Sequence, residues 1–242
     1  MSKIEKLKEI IANSNNIVFF GGAGVSTESG IPDFRSEDGT YNSIENYGAP
    51  PETILSNSYF KANPKAFYKY YKEIMIYPEV EPNDAHLAIA KLEKMGKMKA
   101  IITQNIDGLH QKAGSHNVLE LHGSIFRNYC MDCGSSYDLE YVIESKKLPI
   151  CSCGGLIKPD VVLYEEPLDS NTMSLATDYI SNAETLIIGG TSLVVYPAAG
   201  LIQYFKGENL ILINKSETEY DSYANLVINE AIGEVLRESV LK

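Results

Sequence analysis

Residues 17–30 read Ile-Val-Phe-Phe-Gly-Gly-Ala-Gly-Val-Ser-Thr-Glu-Ser-Gly, a short apolar run followed by a turn rich in glycine. Four apolar residues before two glycines are typical of a buried strand that ends in a tight turn. Similar apolar runs occur at residues 100–103, 118–121, 186–189 and 210–213. Several of them lack the alternation of a half-exposed strand, which favours a parallel sheet covered by helices on both faces. The sequence therefore predicts an α/β fold.

The glycines of this turn would let the backbone approach a phosphate group closely, at the start of a following helix. As a dinucleotide-binding fingerprint the turn is incomplete, because Thr27 stands where the third glycine belongs after Gly22 and Gly24. A P-loop is excluded, since no Gly-Lys-Ser or Gly-Lys-Thr follows. This motif alone supports nucleotide binding and a plain strand-to-helix turn about equally.

The composition limits the classes of protein that this chain can belong to. Its 242 residues are 44% hydrophobic and 22% charged, as in globular proteins and unlike disordered ones. The 21 Lys and Arg against 32 Asp and Glu give a net charge of −11, which disfavours nucleic acid and anionic membranes as partners. Residues 1–10 alternate charged and apolar side chains, unlike a signal peptide, and no stretch resembles a membrane helix. We therefore expect a cytoplasmic protein with no nucleic-acid or membrane partner.

Two stretches interrupt the pattern of strands. Residues 37–83 hold seven tyrosines and five prolines and are interpreted as a mainly helical insertion, whereas residues 125–159 hold all four cysteines and little periodicity. We expect one sheet domain formed by residues 1–36, 84–124 and 160–242. The helical insertion at 37–83 and a metal-binding module at 125–159 would extend from it.

The four cysteines have the spacing of a zinc site. Cys130 and Cys133 are separated by two residues, and Cys151 and Cys153 by one. Two such pairs in a reducing compartment favour a structural zinc with four thiolate ligands, with redox-active or free thiols as the alternative. Four protein ligands leave no open coordination position, so this metal is expected to be structural and not catalytic.

Polar residues follow several of the predicted strands. Residues 103–110 read Thr-Gln-Asn-Ile-Asp-Gly-Leu-His, His122 follows the run at 118–121, and residues 189–193 read Gly-Gly-Thr-Ser-Leu. Open α/β sheets bind ligands at the carboxyl ends of their strands, which predicts one shared cleft. The alternatives are a helix-capping turn at Asp107 and a surface histidine at position 122. No Gly-x-Ser-x-Gly motif is present, which disfavours a covalent serine mechanism.

These motifs together resemble the sirtuins, the NAD-dependent protein deacylases. The similarity rests on residues 22–35, 103–107, 122–124 and 190–193 and on the four cysteines, in the same order and spacing over nearly the whole chain. It implies a Rossmann-like domain, a smaller domain made of a zinc ribbon and a helical module, and a cleft where NAD meets an acyl-lysine peptide. Residues 164–166 are Tyr-Glu-Glu where many relatives have Phe-Gly-Glu.

The resemblance also implies roles for individual residues. His122 would be the general base, with Asn105 as a second catalytic residue, and Val161 would contact the substrate peptide. NAD would be held by Ala23, Thr27, Phe34, Arg35, Gln104, Ile106, Asp107, Thr191, Ser192, Asn214 and Ile232. Zinc would be held by Cys130, Cys133, Cys151 and Cys153.

The activity implied is NAD-dependent removal of acetyl groups from protein lysines, with release of nicotinamide and O-acetyl-ADP-ribose. The partners would then be proteins or peptides that carry acetyl-lysine. No arginine occurs between Arg35 and Arg127, so no guanidinium of the insertion could pair with a carboxylate on the acyl group. Acetyl or longer apolar acyl groups are therefore favoured over acidic ones.

Three other functions remain open from the sequence. The same cleavage of NAD could transfer ADP-ribose to a protein side chain. The chain could also be a non-catalytic module that binds NAD or ADP-ribose, although binding alone requires neither His122 nor Asn105. A classical dehydrogenase is the least favoured, because the fingerprint is imperfect and no separate substrate domain is evident.

Overall fold

The computed structural model describes residues 1–33 and 43–242. The predicted NAD contacts Phe34 and Arg35 lie outside the described residues. The strands of the described chain are β1 Ile17–Gly21, β2 Met98–Thr103, β3 Val118–Glu120, β4 Gly123–Cys130, β5 Ser136–Tyr137, β6 Ile157–Val161, β7 Thr185–Gly189, β8 Asn209–Ile213 and β9 Leu226–Ile228.

Helices lie between these strands. The α-helices that lie entirely within the described residues are α1 Lys3–Asn13, α2 Pro51–Ile54, α3 Asn57–Ala62, α4 Pro64–Tyr70, α5 Asp84–Lys94, α6 Leu109–Lys112, α7 Leu139–Glu144, α8 Ser170–Asn182 and α9 Ile232–Leu236. Residues 43–47 are also helical. Short 3₁₀ helices span Ala23–Val25, Thr27–Ser29, Ala198–Tyr204 and Asp221–Tyr223, and π-helical turns span Tyr71–Met75 and Arg237–Leu241. Among the residues described, no helix combines the length and apolarity needed to cross a membrane.

Six strands form one parallel sheet in the order β3-β2-β1-β7-β8-β9. The chain starts in the middle with β1, builds outward to β3, and later returns to add β7 on the other side of β1. This is the strand order of a Rossmann-like fold, and its ligands bind where the order reverses. The α/β Rossmann-like prediction is confirmed, and the reversal lies between β1 and β7.

Both faces of this sheet are buried, which explains the uninterrupted apolar runs. Ile17 and Phe19 of β1 pack with α1, α5 and α9 on one face. Val18 and Phe20 pack with α8 and the 3₁₀ helix Ala198–Tyr204 on the other face. Each of these β1 side chains is fully buried, and burial of a Phe, Ile or Val contributes about 1.5–3 kcal/mol.

A second, smaller unit is built from the two interruptions seen in the sequence. Strands β5, β4 and β6 form an antiparallel sheet. Helices α2 to α4 pack against that sheet through aromatic side chains, in one apolar cluster that includes Phe60, Phe67, Tyr68, Tyr70 and Tyr71. The helices and the antiparallel sheet thus share one core, separate from the two cores of the parallel sheet.

Two buried histidines pack against each other where α5 meets α6. The ring centroids of His86 and His110 are 4.8 Å apart with an angle of 62° between the rings, and Phe19 lies beside His110. Among the described residues, neither ring nitrogen of His110 has a hydrogen-bond partner. Burial lowers the pKa of His86 to about 4 and, together with His86, lowers the pKa of His110 to about 3. Both histidines are therefore neutral at pH 7.

This pair predicts that the fold loses stability in mild acid. Unfolded histidines take up protons below about pH 6.5, whereas the folded pair does not until about pH 4 or below, so the unfolded state binds more protons in this range. We expect each histidine to lower the free energy of unfolding by about 1.4 kcal/mol per pH unit between pH 6 and pH 5. His110→Phe should reduce that slope by about one histidine's share.

The slope is measured by chemical denaturation at several pH values. His116→Gln is the matched control, because His116 is exposed and its substitution should leave the slope unchanged. Equal slopes for wild type and His110→Phe would contradict the prediction, whatever the absolute stability of the variant.

Candidate functional site

A cavity of about 220 Å³ opens at the carboxyl edge of β1 and β2, between the parallel sheet and the smaller unit. The loops after β1, β2 and β3 contribute one wall, and the segment from Val161 to Glu166 contributes another. The π-helical turn Tyr71–Met75 contributes a third wall. The cavity is therefore where the two units of the chain meet.

Seven of the predicted site residues line this cavity. They are Ala23, Gln104, Asn105, Ile106, Asp107, His122 and Val161. Thr27, Thr191, Ser192, Asn214 and Ile232 are not among its lining residues, although they lie in turns or a helix near the same edge of the sheet. The structure thus brings together the residues that follow β2 and β3, with Ala23 after β1 and Val161 from β6.

The glycines after β1 allow two turns to touch. The amide of Gly24 donates to the carbonyl of Gly190, which follows β7, at 2.8 Å. A Cβ atom on Gly24 would lie 2.8 Å from the Cα of Gly190, closer than such atoms can approach. The turn continues as the 3₁₀ helices Ala23–Val25 and Thr27–Ser29, where the sequence suggested a longer helix. These glycines are therefore required for packing at the reversal of strand order.

One wall of the cavity is polar and holds a hydrogen-bonded group of side chains centred on Ser26. The hydroxyl of Ser26 donates to Oδ2 of Asp107 at 2.6 Å and accepts from Nδ2 of Asn105 at 3.0 Å. Oδ1 of Asp107 accepts from the amide of Leu109, the first residue of α6, at 3.0 Å, which forms a local Asx turn. The N-cap position of α6 is Gly108 and not Asp107, so the predicted cap at Asp107 is wrong by one residue. Burial raises the pKa of Asp107, and the hydrogen bonds from Ser26 and Leu109 oppose that shift.

Sequence reasoning did not select Ser26 as a site residue. The side chain is 1% exposed and lines the cavity. Its only signal in the sequence is a hydroxyl residue inside the glycine-rich turn. That signal does not reveal that Asn105 and Asp107, about 80 residues away, converge on the same hydroxyl.

The position of His122 fixes which of its ring nitrogens can accept a proton. Nδ1 lies 2.9 Å from the backbone carbonyl oxygen of Gln104, which can only accept a hydrogen bond. Nδ1 therefore carries the proton, and Nε2 carries the lone pair. The ring is half-buried in the cavity wall, where a basic nitrogen can serve as a proton acceptor.

Gly123 holds His122 at the junction of the two units. This glycine has φ = 76°, and a Cβ atom there would lie 1.9 Å from the carbonyl oxygen of Asp160. The carbonyl of His122 accepts from the amide of Val162 at 3.0 Å, which joins the histidine to the segment after β6. A larger residue at position 123 would force the two segments apart.

The remaining predicted NAD contacts lie along the same edge of the sheet. Nε2 of Gln104 donates to Oγ1 of Thr191 at 3.1 Å, which links the ends of β2 and β7. Ser192 is exposed and Asn214 directly follows β8. Ile232 is buried against Gly189. A Cβ atom on Gly189 would lie 2.1 Å from the Cδ1 atom of Ile232. Thr27 donates to the carbonyl of Gly24 at 3.0 Å within its own turn.

The segment after β6 is hydrogen-bonded to the helices of the smaller unit. Glu165 has φ = 75°, and its carboxylate accepts from the amide and the hydroxyl of Ser58, each at 2.8 Å. Glu166 forms a largely buried ion pair with Lys158, at 3.1 Å between Oε2 and Nζ. This φ is strained for any residue except glycine. The two hydrogen bonds to Ser58 hold Glu165 in it.

The four cysteines converge on one point away from the cavity. Their sulfur atoms all lie within 4.8 Å of one another, with 3.5 Å between Cys130 and Cys153 and 3.6 Å between Cys133 and Cys151. Four sulfurs around a tetrahedral zinc lie about 3.8 Å apart, so the cluster fits this ion. None of the four lines the cavity, which agrees with a structural role.

Backbone geometry supports the same arrangement. The amides of Asp132 and Cys153 point to the sulfurs of Cys130 and Cys151, at 3.4 and 3.5 Å. A Cβ atom on Gly155 would lie 2.6 Å from the sulfur of Cys130, so the shortened Cys-x-Cys pair depends on glycine beside it. Such N–H groups stabilise thiolates, the form in which cysteine binds a metal.

The chain is similar in sequence and structure to known proteins of one family. A family model described as "Sir2 family" matches residues 22–197. A protein of Clostridium perfringens named "NAD-dependent protein deacetylase" is 66% identical over 97% of each chain, and one of Clostridium acetobutylicum with the same name is 62% identical over 98% of this chain and 97% of its own. A solved structure described as "Sir2 H116A-deacetylated p53 peptide-3'-o-acetyl ADP ribose" is 37% identical with a TM-score of 0.89, over 98% of this chain and 97% of its own.

The cysteine cluster predicts a metal-dependent fold. Cys133→Ser removes one of four zinc ligands and should lower the melting temperature by several degrees, because the binding energy of a structural zinc is folding energy. Ser152→Ala is the control, because Ser152 lies between two of the cysteines but is not one of the four proposed zinc ligands. Zinc content and melting temperature measure the effect, and full zinc content with an unchanged melting temperature in Cys133→Ser would refute it.

Proposed function

The chain belongs to the Sir2 family, and we infer that it is an NAD-dependent protein deacetylase that removes acetyl groups from lysine side chains. One observation in the structure supports this most directly. His122 presents Nε2 as a proton acceptor in a cavity that also holds Asn105, Asp107 and Val161. The cavity lies at the carboxyl edge of a Rossmann-like sheet, where such sheets bind nucleotides.

NAD supplies a ribose carbon from which nicotinamide can leave, and ADP-ribose then accepts the acetyl group. We assign the nicotinamide and its ribose to the cavity residues Ala23, Gln104, Asn105, Ile106 and Asp107. The adenosine end is assigned to the outer residues Thr27, Thr191, Ser192, Asn214 and Ile232. Phe34 and Arg35 remain predicted contacts, as they lie outside the described residues.

The proposed role of His122 is to take a proton from a ribose hydroxyl at Nε2. The backbone carbonyl of Gln104 accepts a hydrogen bond from Nδ1–H, so it keeps the ring in one tautomer and stabilises the charge on the imidazolium that forms. Before this step, the acyl oxygen bonds to the ribose carbon as the bond to nicotinamide breaks. The deprotonated hydroxyl oxygen then bonds to the acyl carbon, and the bond from that carbon to the lysine nitrogen breaks as the nitrogen takes up a proton. A water molecule adds to the same carbon, and the bond from that carbon to the first ribose oxygen breaks, which leaves the acetyl group on the second oxygen. The products are free lysine, nicotinamide and O-acetyl-ADP-ribose.

Asn105 and Asp107 are proposed to orient NAD rather than to transfer protons. Both side chains are held by hydrogen bonds to Ser26, and both residues line the cavity. The carboxylate of Asp107 can accept hydrogen bonds from an amide group such as that of nicotinamide. Ordered polar groups of this kind hold a reactive ligand without reorganising during the reaction.

The substrate peptide is proposed to lie along Val161 and the residues that follow it. These residues line the cavity, and their position beside His122 is fixed by the hydrogen bond from the amide of Val162. We propose a cytoplasmic location for the enzyme, because a thiolate zinc site persists in a reducing compartment. Fractionation of cells that express the protein tests this location.

The function is tested by mass spectrometry of an acetyl-lysine peptide incubated with the protein and NAD. We expect loss of one acetyl group together with equal amounts of nicotinamide and O-acetyl-ADP-ribose. His122→Ala should lower turnover by at least about 100-fold, as expected for loss of a general base, while it retains NAD binding. His116→Ala is the control, since His116 lies on the surface.

Other outcomes distinguish the remaining functions. ADP-ribose attached to the peptide or to protein, without loss of acetyl, would identify an ADP-ribosyltransferase. NAD binding without any turnover would identify a binding module. Full activity of His122→Ala would remove the histidine from the mechanism.

The charges of the cavity predict discrimination against acidic acyl groups. Its described lining residues include Asp107 and Glu165, together with Glu166, which is already paired with Lys158, and no lysine or arginine. A carboxylate on the acyl chain would lose its hydration beside these groups without gaining a cation. We expect kcat/KM for a succinyl-lysine peptide to be at least about tenfold below that for the acetyl peptide. Comparable values for the two peptides would contradict this prediction.

A further inference from the structure

Asn83 joins the start of α5 to the glycine-rich turn after β1. Its side-chain oxygen Oδ1 accepts from the amide of Ala85 at 2.9 Å, which caps the N-terminus of the helix. Its side-chain nitrogen Nδ2 donates to the carbonyl of Val25 at 2.7 Å and to the hydroxyl of Ser29 at 3.0 Å. One amide group therefore connects the helix to a turn that lies 54 to 58 residues earlier in the sequence.

The orientation of this amide group is fixed by its partners. The carbonyl of Val25 can only accept a hydrogen bond and the amide of Ala85 can only donate one, so the nitrogen faces the turn and the oxygen faces the helix. The backbone of Asn83 is also engaged, because its amide donates to Nδ1 of His86 at 3.3 Å and its carbonyl accepts from the amide of Leu87 at 3.1 Å. The side chain is thus held from both sides.

Capping of α5 does not by itself require an asparagine. Aspartate and serine cap helices equally well through a side-chain oxygen, as Ser2, Asp138 and Asp169 do for α1, α7 and α8. Among the residues that cap helices well, only asparagine adds two N–H donors to that oxygen. The nitrogen of Asn83 therefore serves the turn and not the helix.

The turn that Asn83 holds carries residues of the site. Ser26 and Thr27 lie between the two residues that accept from Nδ2, and the hydroxyl of Ser26 bonds to Asn105 and Asp107. Asn83 itself does not line the cavity. Any effect of Asn83 on the site must therefore pass through the turn.

We propose that Asn83 is a positioning residue for NAD, which keeps the turn Val25–Ser29 in the shape that the structure shows before the cofactor binds. This inference rests on the proposed NAD-dependent function. A segment that is ordered in advance loses less conformational entropy when its ligand binds, so the affinity is higher. The proton transfer assigned to His122 takes place on a different loop and has no direct contact with Asn83.

The test measures the dissociation constant of NAD by calorimetry, without peptide, for wild type and Asn83→Ser. Serine keeps an oxygen for the helix cap but lacks both donors to the turn. We expect the dissociation constant to rise about tenfold. In the acetyl-peptide assay, KM for NAD should rise by a similar factor, whereas kcat falls less than about threefold and KM for the peptide stays unchanged.

Ser29→Ala tests the same contact from the side of the turn. It removes one acceptor and leaves the cap of α5 intact, so we expect the dissociation constant of NAD to rise about threefold in the wild-type background. It should have no further effect in the Asn83→Ser background, because the bond is already absent there. The single variant Ser29→Ala also keeps the inference testable if Asn83→Ser does not fold.

Ser2→Ala is the matched control for loss of stability alone. The hydroxyl of Ser2 caps α1 by accepting from the amide of Glu5 at 3.1 Å, and Ser2 does not line the cavity. We expect this variant to lower the melting temperature and to leave the dissociation constant of NAD unchanged.

The outcomes separate this inference from the function on which it rests. Equal NAD binding by wild type, Asn83→Ser and Ser29→Ala overturns the inference, as does a Ser2→Ala variant that weakens NAD binding as much as Asn83→Ser. Fully additive effects of Asn83→Ser and Ser29→Ala also overturn it, since the two side chains would then act separately. If wild type binds NAD but leaves the acetyl peptide intact, the proposed deacetylase function fails, while calorimetry still decides the role of Asn83.

Discussion

The close approach of two glycine turns at the centre of the parallel sheet is the constraint on which the site depends. Gly24 follows β1 and Gly190 follows β7, and their backbones are so close that neither position has room for a Cβ atom. This contact lies where the strand order reverses, so it sets the spacing of the loops that line the cavity. Ser26 directly follows this turn, and its hydroxyl then organises Asn105 and Asp107. A single steric requirement thus positions the polar wall.

A second steric requirement joins the smaller unit to the sheet. Gly123 lies against the carbonyl oxygen of Asp160. This contact pairs the start of β4 with the end of β6, close to the point where β3 ends. His122 is therefore held between the carbonyl of Gln104 on one side and the amide of Val162 on the other. The cysteine cluster lies at the far end of the same two strands, because Cys130 is the last residue of β4, Cys133 follows it, and the other two cysteines precede β6. The cysteine cluster and His122 therefore lie at opposite ends of this short sheet.

Much of the fold was predictable because its signals are local. The apolar runs gave five strands of the parallel sheet, and the cysteine spacing gave the metal cluster that Cys130 and Cys151 help to form. The role of Ser26 was not predictable, since it depends on contacts between segments far apart in sequence. The same is true of the tautomer of His122, which depends on a carbonyl 18 residues earlier. The 3₁₀ turns after Gly22 replaced an expected helix, because backbone packing on Gly190 takes precedence over local pattern there. The domain limits and the NAD-contacting roles stay predictions.

The π-helical turn at Tyr71–Met75 had no signal in the sequence, although it shapes the apolar half of the cavity. A regular helix in its place would direct different side chains into the cavity, since the turn rotates the residues that follow it. The polar half presents Asn105, Asp107 and His122, and the apolar half presents side chains such as Ile74 and Met75. Each half comes from a different unit of the chain, the sheet in one case and the helical insertion in the other. The helical insertion therefore supplies apolar side chains to the cavity, whereas Asn105, Asp107 and His122 come from loops of the parallel sheet.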